Sequence, residues 1–411
     1  MDKENKKGEL HPVWFFVILS IITIILSFIL SLFNFQATQT DISLGATSTS
    51  IVTIESLLSK SGIQYIFSEC INNFLKFAPI GTIIVSIASV GLMIKMGLLK
   101  SLFKRISKFI PRKTIFFIFS LLCIILGFST DFAFVVMIPI AAILFTEYKR
   151  SQVVGMTMAF VSVAAGTNIN IFITSIDYSL MELSKTSIGL VDSNYDVSYS
   201  GNLFFVVITS ILLALLISIM TEIIARKKPV RIGTEEYEVS EKLDKKGFKK
   251  SMIAFLIMAI IVIYSVIPNL PLSGLLLDSS QTLYINKLLS ANSPFVKGFL
   301  YISSLIFIIC SIIYGVNTKQ IKSSKDIIKN ISNSLNGLGE MILLIFVASQ
   351  FITLFKYTNI GTVVTVNLFN LVANIKPSFI VLILLSFIVI AISNIFVPSL
   401  STKWTLFVPK M

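Results

Sequence analysis

Apolar runs long enough to cross a lipid bilayer recur along the whole chain, and short polar breaks interrupt some of them. A transmembrane helix needs roughly 17–25 predominantly apolar residues. The first such run is too long for a signal-peptide core, and no small-residue cleavage site follows it. The pattern therefore predicts an all-α polytopic membrane protein with uncleaved spans near 14–33, 78–98, 203–224, 251–267, 298–316 and 341–355.

Two further segments, 113–145 and 376–411, share one pattern. In each, a lysine opens an apolar run that meets a polar residue eighteen positions later, and an apolar stretch with a proline follows. The polar residue is Asp131 in the first copy and Asn394 in the second. Only the first copy is followed by another long segment, 153–174. The pattern predicts a structural repeat whose second copy is incomplete, and repeats with breaks at mid-membrane depth are typical of secondary transporters.

Basic and acidic loops predict the orientation of the chain. Excess Lys and Arg marks cytoplasmic loops, which assigns the N-terminus and the loops 99–113, 226–250 and 317–330 to that side. The loops 34–63 and 175–202 carry more acid than base and are predicted to be external. Between them, the amphipathic stretch 64–76 is predicted to lie along the outer surface.

Lys149 and Arg150 lie between the first hairpin and segment 153–174, and their positive charge favours a cytoplasmic location for this link. Segment 114–146 would then enter and leave by the same face, as a re-entrant hairpin with residues 129–131 at its tip. Such backbone is tolerated only inside protein or beside water. The same count predicts that hairpin 376–411 enters from outside, so that the two repeats are inverted.

These assignments divide the chain into five parts. They are an N-terminal span with an external loop (1–63); a first repeat (64–225) with hairpin 114–146, broken helix 153–174 and a following span; a cytoplasmic linker (226–250); two scaffold spans (251–316); and a second repeat (317–411) that ends after hairpin 376–411.

Composition supports this class of protein. Hydrophobic residues make up 55% of the 411 and charged residues 13%, which excludes an ordinary soluble domain. The net charge of +13 comes from loops beside spans, so no nucleic-acid partner is predicted. The three cysteines lack metal-ligand spacing, and no cofactor or metal is predicted. The one histidine precedes the first span, and Asp131 has no partner acid, so we expect no enzyme. A channel is less favoured than a transporter because inverted hairpins suit alternating access.

Asp131 is the clearest candidate for chemistry, with Ser129 and Thr130 beside it. An acid at the bilayer centre costs roughly 2.5–3.5 kcal/mol and is a functional candidate by default. It could accept a proton or help to hold sodium, so the coupling ion would be H⁺ or Na⁺. The alternative is a structural aspartate that caps the second half of the hairpin.

Polar residues also interrupt segment 153–174, at Gly166, Thr167, Asn168 and Asn170. An unwound point there would offer carbonyls to a cation, or a helix N-terminus to a carboxylate. The alternative is that small and hydroxyl residues only allow close helix contact.

The second hairpin offers four candidates of its own. Asn394 takes the place of Asp131 but cannot titrate. Trp404 could stack on an aromatic substrate ring, or it could anchor the chain at the membrane interface. Lys403 would need to snorkel or to pair with an anion. The candidates are Asn394, Ser399, Ser401 and Trp404.

Six groups of short motifs run in order through all 411 residues: His11-Pro-Val-Trp14, Asn73-Phe-Leu-Lys-Phe-Ala-Pro-Ile-Gly81, Ser129-Thr-Asp131 with Val135-Val-Met-Ile-Pro139, Gly166-Thr-Asn-Ile-Asn170 with Ile176-Asp177, Ala348-Ser-Gln350-Phe with Thr358-Asn-Ile-Gly361, and Ser399-Leu-Ser-Thr-Lys403-Trp404. In these motifs the chain resembles the AbgT (p-aminobenzoyl-glutamate transporter) family of bacterial inner-membrane proteins.

The resemblance implies ion-coupled import of p-aminobenzoyl-glutamate, or export of sulfonamide-type antimetabolites, by a homodimer with nine spans and two hairpins. By position, Asp131, Asn394, Ser401 and Trp404 resemble the family's important residues. Thr402 stands where the family has Ala, and the family's segment after the second hairpin is missing here. A C-terminally truncated, non-transporting remnant, or one fragment of a split transporter, is therefore the alternative hypothesis.

Overall fold

The computed structural model describes residues 10–43, 46–77, 79–189, 192, 194–195, 201–227, 239–290, 292–375, 378–396 and 403–404. Within these residues the chain forms helices and one short β-hairpin. Their bounds are α1 Pro12–Leu32, β1 Gln36–Ser43, β2 Ala46–Thr53, α2 Lys60–Leu75, α3 Pro79–Lys95, α4 Leu98–Phe109, α5 Arg112–Leu126, α6 Thr130–Glu147, α7 Gln152–Gly166, α8 Ser175–Ile188, α9 Leu203–Lys227, α10 Glu241–Val266, α11 Tyr284–Leu289, α12 Pro294–Asn317, α13 Ser324–Ser334, α14 Leu338–Tyr357, α15 Ile360–Ile375 and α16 Phe379–Phe396.

The described helices confirm a polytopic membrane protein. Seven helical stretches in the described ranges are long and apolar enough to cross a bilayer. They include all six predicted spans, together with the second leg of the predicted first hairpin. The stretches are Pro12–Leu32, Lys60–Lys95 (which comprises α2 and α3), Thr130–Glu147, Leu203–Arg226, Glu241–Val266, Pro294–Asn317 and Leu338–Tyr357.

The chain divides into two compact units, and the first comprises Met1–Ile80, Ser179–Ser198 and Gly337–Met411. Within it, α1 and α2 each pack against α14, and α15 packs against α16 and β1. Valine side chains of α15 form a small core with Phe369 and with Val389 of α16.

The β-hairpin was not predicted from the sequence. β1 and β2 pair antiparallel from Gln36 opposite Thr53 to Ser43 opposite Ala46. The Asn367 side chain donates to the Gln36 carbonyl at 3.1 Å, which ties β1 to α15. Both strands are rich in threonine and contain isoleucine, residues that favour strands. That composition was the signal in a segment interpreted only as an external loop.

Helix α2 lies alongside α14 in the antiparallel direction. Tyr65 stacks on Tyr357 with ring centroids 4.4 Å apart, and Phe74 meets Phe346 edge to face at 5.3 Å. Between these pairs, Gln350 donates to the Cys70 carbonyl at 2.9 Å. Because α14 is itself a candidate span, α2 follows its axis. The prediction that residues 64–76 lie along the outer surface is therefore wrong.

The second unit comprises Gly81–Tyr178 and Tyr199–Asn336. Its centre is an antiparallel pair, α5 and α6, which packs against α7, while α5 and α7 also pack against α9. Phe116 of α5 and Phe145 of α6 are fully buried and stack at 4.1 Å. Helices α10 and α12 form a second antiparallel pair in this unit.

The two legs of the α5–α6 hairpin are joined at their open end. Tyr148, directly after α6, donates its hydroxyl to the Ile110 carbonyl before α5, at 2.8 Å. Residues at the two ends also reach one carboxylate, Glu222 of α9: Arg112 at 2.5 Å and Arg150 at 3.6 Å. The chain therefore enters and leaves the hairpin at the same end of the unit. At about 1.5 Å per residue, the 15-residue α5 spans roughly 22 Å, less than the roughly 30 Å bilayer core.

The basic loops of this unit also meet at one end. Arg105 of α4 forms an ion pair with Asp244 of α10 at 2.5 Å, and Tyr314 of α12 donates to the same carboxylate at 2.7 Å. Gln320, after α12, donates to the Met96 carbonyl before α4 at 3.1 Å. The segments predicted to share one side of the membrane are thus in contact, and the compartment that they face stays a prediction.

Two parts of the chain repeat one order of elements. In each part an apolar helix is followed by one residue with left-handed backbone, and a second helix begins directly after that residue. A short link and a third, apolar helix come next. The left-handed residue is Gly97 (φ 77°) between α3 and α4, and Asn359 (φ 57°) between α14 and α15. The order supports a repeat, whereas its inversion in the membrane stays a prediction.

Candidate functional site

The polar break in the first hairpin lies where the sequence predicted it. Helix α5 ends at Leu126 and α6 begins at Thr130. Ser129 occupies the N-cap position of α6, although its side chain makes no capping hydrogen bond. Thr130 donates its hydroxyl back to the Gly127 carbonyl at 3.3 Å. The tip of the hairpin is therefore a short polar turn at the N-terminus of a helix.

Asp131 lies at the tip, in the first turn of α6 and two residues after Ser129. Its side chain is exposed, and no described residue donates a hydrogen bond to its carboxylate or forms an ion pair with it. The N-cap position belongs to Ser129, so the capping alternative does not describe this geometry. The partial positive charge of the α6 N-terminus favours an anion at this place. Asp131 is thus a carboxylate stabilised by a helix end and open to a ligand.

Helix α7 ends against the same tip, where two glycines meet. A Cβ added at Gly127 would overlap the backbone of Gly166, and one added at Gly166 would overlap the Ile124 carbonyl. The two helices approach this closely because neither position carries a side chain. For Gly166, the alternative of close helix contact is therefore the one that the structure supports.

Asn170 holds the end of α7 to the end of α5. Its buried amide donates to the carbonyls of Ile124, Ile125 and Gly166 at 2.9, 3.0 and 3.2 Å. The last carbonyls of a helix have no partner within the helix, and one side chain here serves two helix ends. Asn170 is a structural residue of the tip.

Thr167 and Asn168 lie between Gly166 and Asn170. Thr167 donates to the Ala164 carbonyl at 2.8 Å, and Asn168 donates to the Thr167 hydroxyl at 3.0 Å. The Asn168 side chain is exposed. The predicted interruption of 153–174 is confirmed, although no helix resumes before Ser175. Thr167 and Asn168 therefore remain the polar groups of this segment that are open to a ligand.

Replacing Asn170 with alanine should lower the stability of the protein. The change leaves the carbonyls of Ile125 and Gly166 without a donor among the described residues, while Ile124 keeps the Gly127 amide, and each lost partner costs about 1–3 kcal/mol. Unfolding followed by heating the purified protein would measure the loss. Asn168→Ala is the matched control, because that side chain is exposed, and it should change stability by less than about 0.5 kcal/mol. Equal losses in both variants would contradict the structural role of Asn170.

The second hairpin is described in part. Helix α16 runs through Ser393 and Asn394 to Phe396, so the polar break predicted at Asn394 does not begin there. The break was predicted from polar residues alone, and a helix can contain two such residues without ending. Lys403 donates to the Asn394 side-chain oxygen, so that the cation pairs with a neutral amide. Ser399 and Ser401 lie outside the described residues.

Trp404 is fixed by a residue that the sequence did not suggest. Its indole Nε1–H donates to the Ser184 hydroxyl of α8 at 2.9 Å. Helix α8 falls in a segment predicted as an external loop, 175–202. A signal for its start was present, since Thr174 and Asp177 have the spacing of a helix cap, and the Thr174 amide donates to Asp177 at 2.8 Å. Asp131 and Trp404 belong to different units, and their convergence on one site stays a prediction.

Comparison with known proteins decides the family. The family model described as "AbgT putative transporter family" matches residues 5–411. The chain belongs to the AbgT putative transporter family. It is 25% identical over 409 residues to the p-aminobenzoyl-glutamate transport protein of Escherichia coli (strain K12), over 97% of this chain and 76% of that protein.

Two solved structures share the AbgT fold of this chain. The Alcanivorax borkumensis YdaH transporter superposes with a TM-score of 0.56 at 23% identity, over 98% of this chain and 82% of that one. Neisseria gonorrhoeae MtrF superposes with a TM-score of 0.53 at 25% identity, over 98% and 80%. The resemblance stated from the sequence motifs is thereby confirmed, and the chain is a membrane transporter by family.

Proposed function

We propose that this AbgT-family chain is a secondary active transporter driven by an ion gradient. Its cargo is p-aminobenzoyl-glutamate or a related aromatic acid, including sulfonamide-type antimetabolites. One observation carries the proposal. The hairpin tip presents Asp131, an unpaired carboxylate at a helix N-terminus, beside the end of α7. An acid placed there can gain or lose a proton, or hold Na⁺, with little rearrangement of its neighbours.

The names of two relatives support the substrate class. The Escherichia coli relative is named a p-aminobenzoyl-glutamate transport protein, and the structure of Neisseria gonorrhoeae MtrF is described as illuminating a class of antimetabolite efflux pumps. The first name gives an aromatic acid as the cargo, and the second gives antimetabolites. We extend that substrate class to this chain as part of the proposal.

Each polar residue has a role in the proposal. Asp131 binds the coupling ion, H⁺ or Na⁺, with hydroxyls from Ser129 and Thr130 beside it. Thr167 and Asn168 offer hydrogen bonds to the cargo or the ion. From the second hairpin, Asn394 supplies a neutral amide in place of a second acid, and Trp404 supplies an aromatic face. The proposal also includes Ser399 and Ser401 as partners for the cargo's carboxylate.

Uptake into membrane vesicles tests the proposal directly. Vesicles that contain the 411-residue chain are given labelled p-aminobenzoyl-glutamate under an imposed pH gradient, an imposed Na⁺ gradient, or neither. We expect accumulation with one gradient and none in vesicles without the chain. Vesicles of both orientations separate import from export. An absence of gradient-driven flux in either direction would reject the proposed function.

Trp404→Ala should weaken binding of p-aminobenzoyl-glutamate by about 1 kcal/mol or more if the indole stacks on the benzoyl ring. Affinity measured by calorimetry on the purified protein gives the value. Two controls separate stacking from the Ser184 hydrogen bond. Trp404→Phe keeps an aromatic face and should retain most of the affinity, while Ser184→Ala removes only the hydrogen bond. Losses that are equal in Ser184→Ala and Trp404→Ala would rule out stacking.

We further infer that the transporter is a homodimer in the bacterial inner membrane with its N-terminus in the cytoplasm. The basic loops that meet in the second unit support this orientation. A cysteine introduced at Lys149 should react with an impermeant reagent only when the reagent reaches the cytoplasmic face. Mass measurement of the detergent-solubilised protein gives the number of subunits.

A further inference from the structure

A large apolar cavity lies within the second unit and extends to Leu126 and Phe132, the residues that flank the hairpin tip. Its volume is about 480 Å³, within the range of roughly 300–1,000 Å³ that small-molecule sites occupy. Helices α4, α5, α6, α10 and α12 contribute its walls. The residues that matter here are Leu102, Phe103 and Ile106 of α4, with Phe248 and Met252 of α10 and Val136 of α6.

The lining excludes the transporter's proposed cargo as the occupant. Ser251 brings the one hydroxyl among the lining residues, and this hydroxyl already donates to the Cys310 carbonyl. A benzoyl-glutamate carries carboxylates, and burying a charge without a partner is strongly unfavourable. The cavity offers such a group nothing to bind. A hydrocarbon chain, by contrast, needs only apolar contact.

Helix α4 gives the cavity a charged edge. It is strongly amphipathic: Leu102, Phe103 and Ile106 face the cavity, while Lys100, Lys104 and Lys108 are exposed. A helix of this kind lies in the membrane interface, with its cations at the level of the lipid phosphates.

Arg105 and Asp244 occupy the rim of the same cavity. The Arg105 guanidinium lies 4.4 Å from the centroid of Phe248, one of the lining rings. Its charge is balanced by Asp244 at 2.5 Å. Among the described residues Lys100, Lys104 and Lys108 form no ion pair, although Glu147 and Glu241 lie near enough to interact with them electrostatically. Glu241 is itself paired with Lys245, and segment 98–113 contains six basic residues and no acid. The edge of the cavity therefore carries a net positive charge.

We propose that this cavity holds one acyl chain of an anionic phospholipid, whose phosphate is bound by the lysines of α4. Charge complementarity selects this occupant: the interior accepts hydrocarbon, the edge accepts an anion, and the two are joined at the interface where such lipids lie. Basic pockets between membrane helices on the cytoplasmic side bind anionic headgroups by the same physics. Because α5 and α6 form part of the wall, a bound lipid packs directly against the first hairpin.

Thermal unfolding of the purified full chain in detergent tests the proposal. Palmitoyl-oleoyl phosphatidylglycerol, which is anionic, and the matching phosphatidylcholine, which is zwitterionic, are titrated separately. We expect the phosphatidylglycerol to raise the unfolding midpoint at concentrations at which phosphatidylcholine has no effect, because a ligand that binds only the folded state stabilises it.

Two pairs of variants locate the effect. The double substitution Lys104→Ser, Lys108→Ser should weaken the apparent affinity for phosphatidylglycerol roughly thirtyfold, because it removes the attraction of two lysines for an anionic lipid at the membrane surface. The matched control is Lys325→Ser with Lys329→Ser on α13, a basic helix that does not line the cavity. Met252→Trp fills the cavity and should abolish the shift, whereas Ile257→Trp, an exposed position on the same helix, should keep it.

The outcomes are distinct. The proposal is supported if the shift is specific for phosphatidylglycerol, is weakened in the Lys104→Ser, Lys108→Ser protein and is lost in Met252→Trp. Equal shifts with both lipids, or shifts retained in Met252→Trp, show lipid on the outer surface only and overturn it. If a variant does not fold, lipid retained by the unmodified protein decides the question: native mass spectrometry should find bound phosphatidylglycerol, and finding none rejects the site.

Discussion

Uptake driven by an ion gradient should be lost when Asp131 is replaced by Asn. The amide keeps the size of the side chain but can neither release a proton nor balance a cation at the α6 N-terminus. Because the carboxylate makes no hydrogen bond or ion pair within the described ranges, its removal breaks no contact there. We therefore expect a folded protein of normal stability with flux at the level of empty vesicles.

Glu340→Gln provides the matched control. Glu340 also lies in the first turn of a helix, α14, and its side chain is exposed, but it does not belong to either predicted hairpin. Its replacement should leave uptake near the parental rate. Asp131→Glu keeps the charge on a longer side chain and should retain part of the activity. If the Asp131→Asn protein takes up substrate at the parental rate, Asp131 has no part in ion coupling. If it exchanges substrate across the membrane without a gradient but no longer accumulates it, Asp131 acts in ion coupling alone.

Glu222→Gln should cause the largest loss of stability. Glu222 is 8% exposed and serves three guanidinium groups, with Arg112 at 2.5 Å, Arg226 at 3.3 Å and Arg150 at 3.6 Å. Removing one partner from a buried ion pair typically costs 3–5 kcal/mol. Arg226 is 60% exposed and can turn to solvent, while Arg150 at 19% cannot do so easily. We therefore expect a loss of about 3 kcal/mol, at the lower end of that range.

Glu241→Gln is the control for this change. It removes the carboxylate of another ion pair, with Lys245 at 2.8 Å, in which both side chains are well exposed. Exposed pairs of this spacing contribute little to stability, because water and salt screen them. Thermal unfolding of both variants beside the parent protein gives the comparison. A loss for Glu222→Gln no larger than for Glu241→Gln would show that the arginine cluster does not hold the hairpin.

The sequence predicted the apolar helices and the first hairpin well, because both follow from patterns local in the chain. Run length gave the spans, and the polar residues at 127–131 lie where α5 ends and α6 begins. Counting charged loops also placed both ends of the first hairpin on one side of the membrane, and the shared Glu222 supports this by holding both ends at one end of the unit. Family motifs added the family itself, which no pattern of spacing could supply.

Features that depend on distant partners were beyond the sequence. Helix α2 is amphipathic, and its pattern alone does not distinguish a membrane surface from the side of α14 as the partner of its apolar face. From the sequence, Gly166 and Asn170 were predicted to help to bind an ion or a substrate. Their structural roles depend on contacts with the end of α5, which the sequence does not show. Helix α8 and its hydrogen bond to Trp404 join residues more than two hundred positions apart.

The shared carboxylate at the base of the first hairpin limits how this element can move. Both legs are tied to one side chain of α9, and the tip is held to α7 by the Asn170 amide and by the close approach of Gly127 and Gly166. The hairpin is therefore fixed at both ends, so that its polar turn is in place before a ligand arrives.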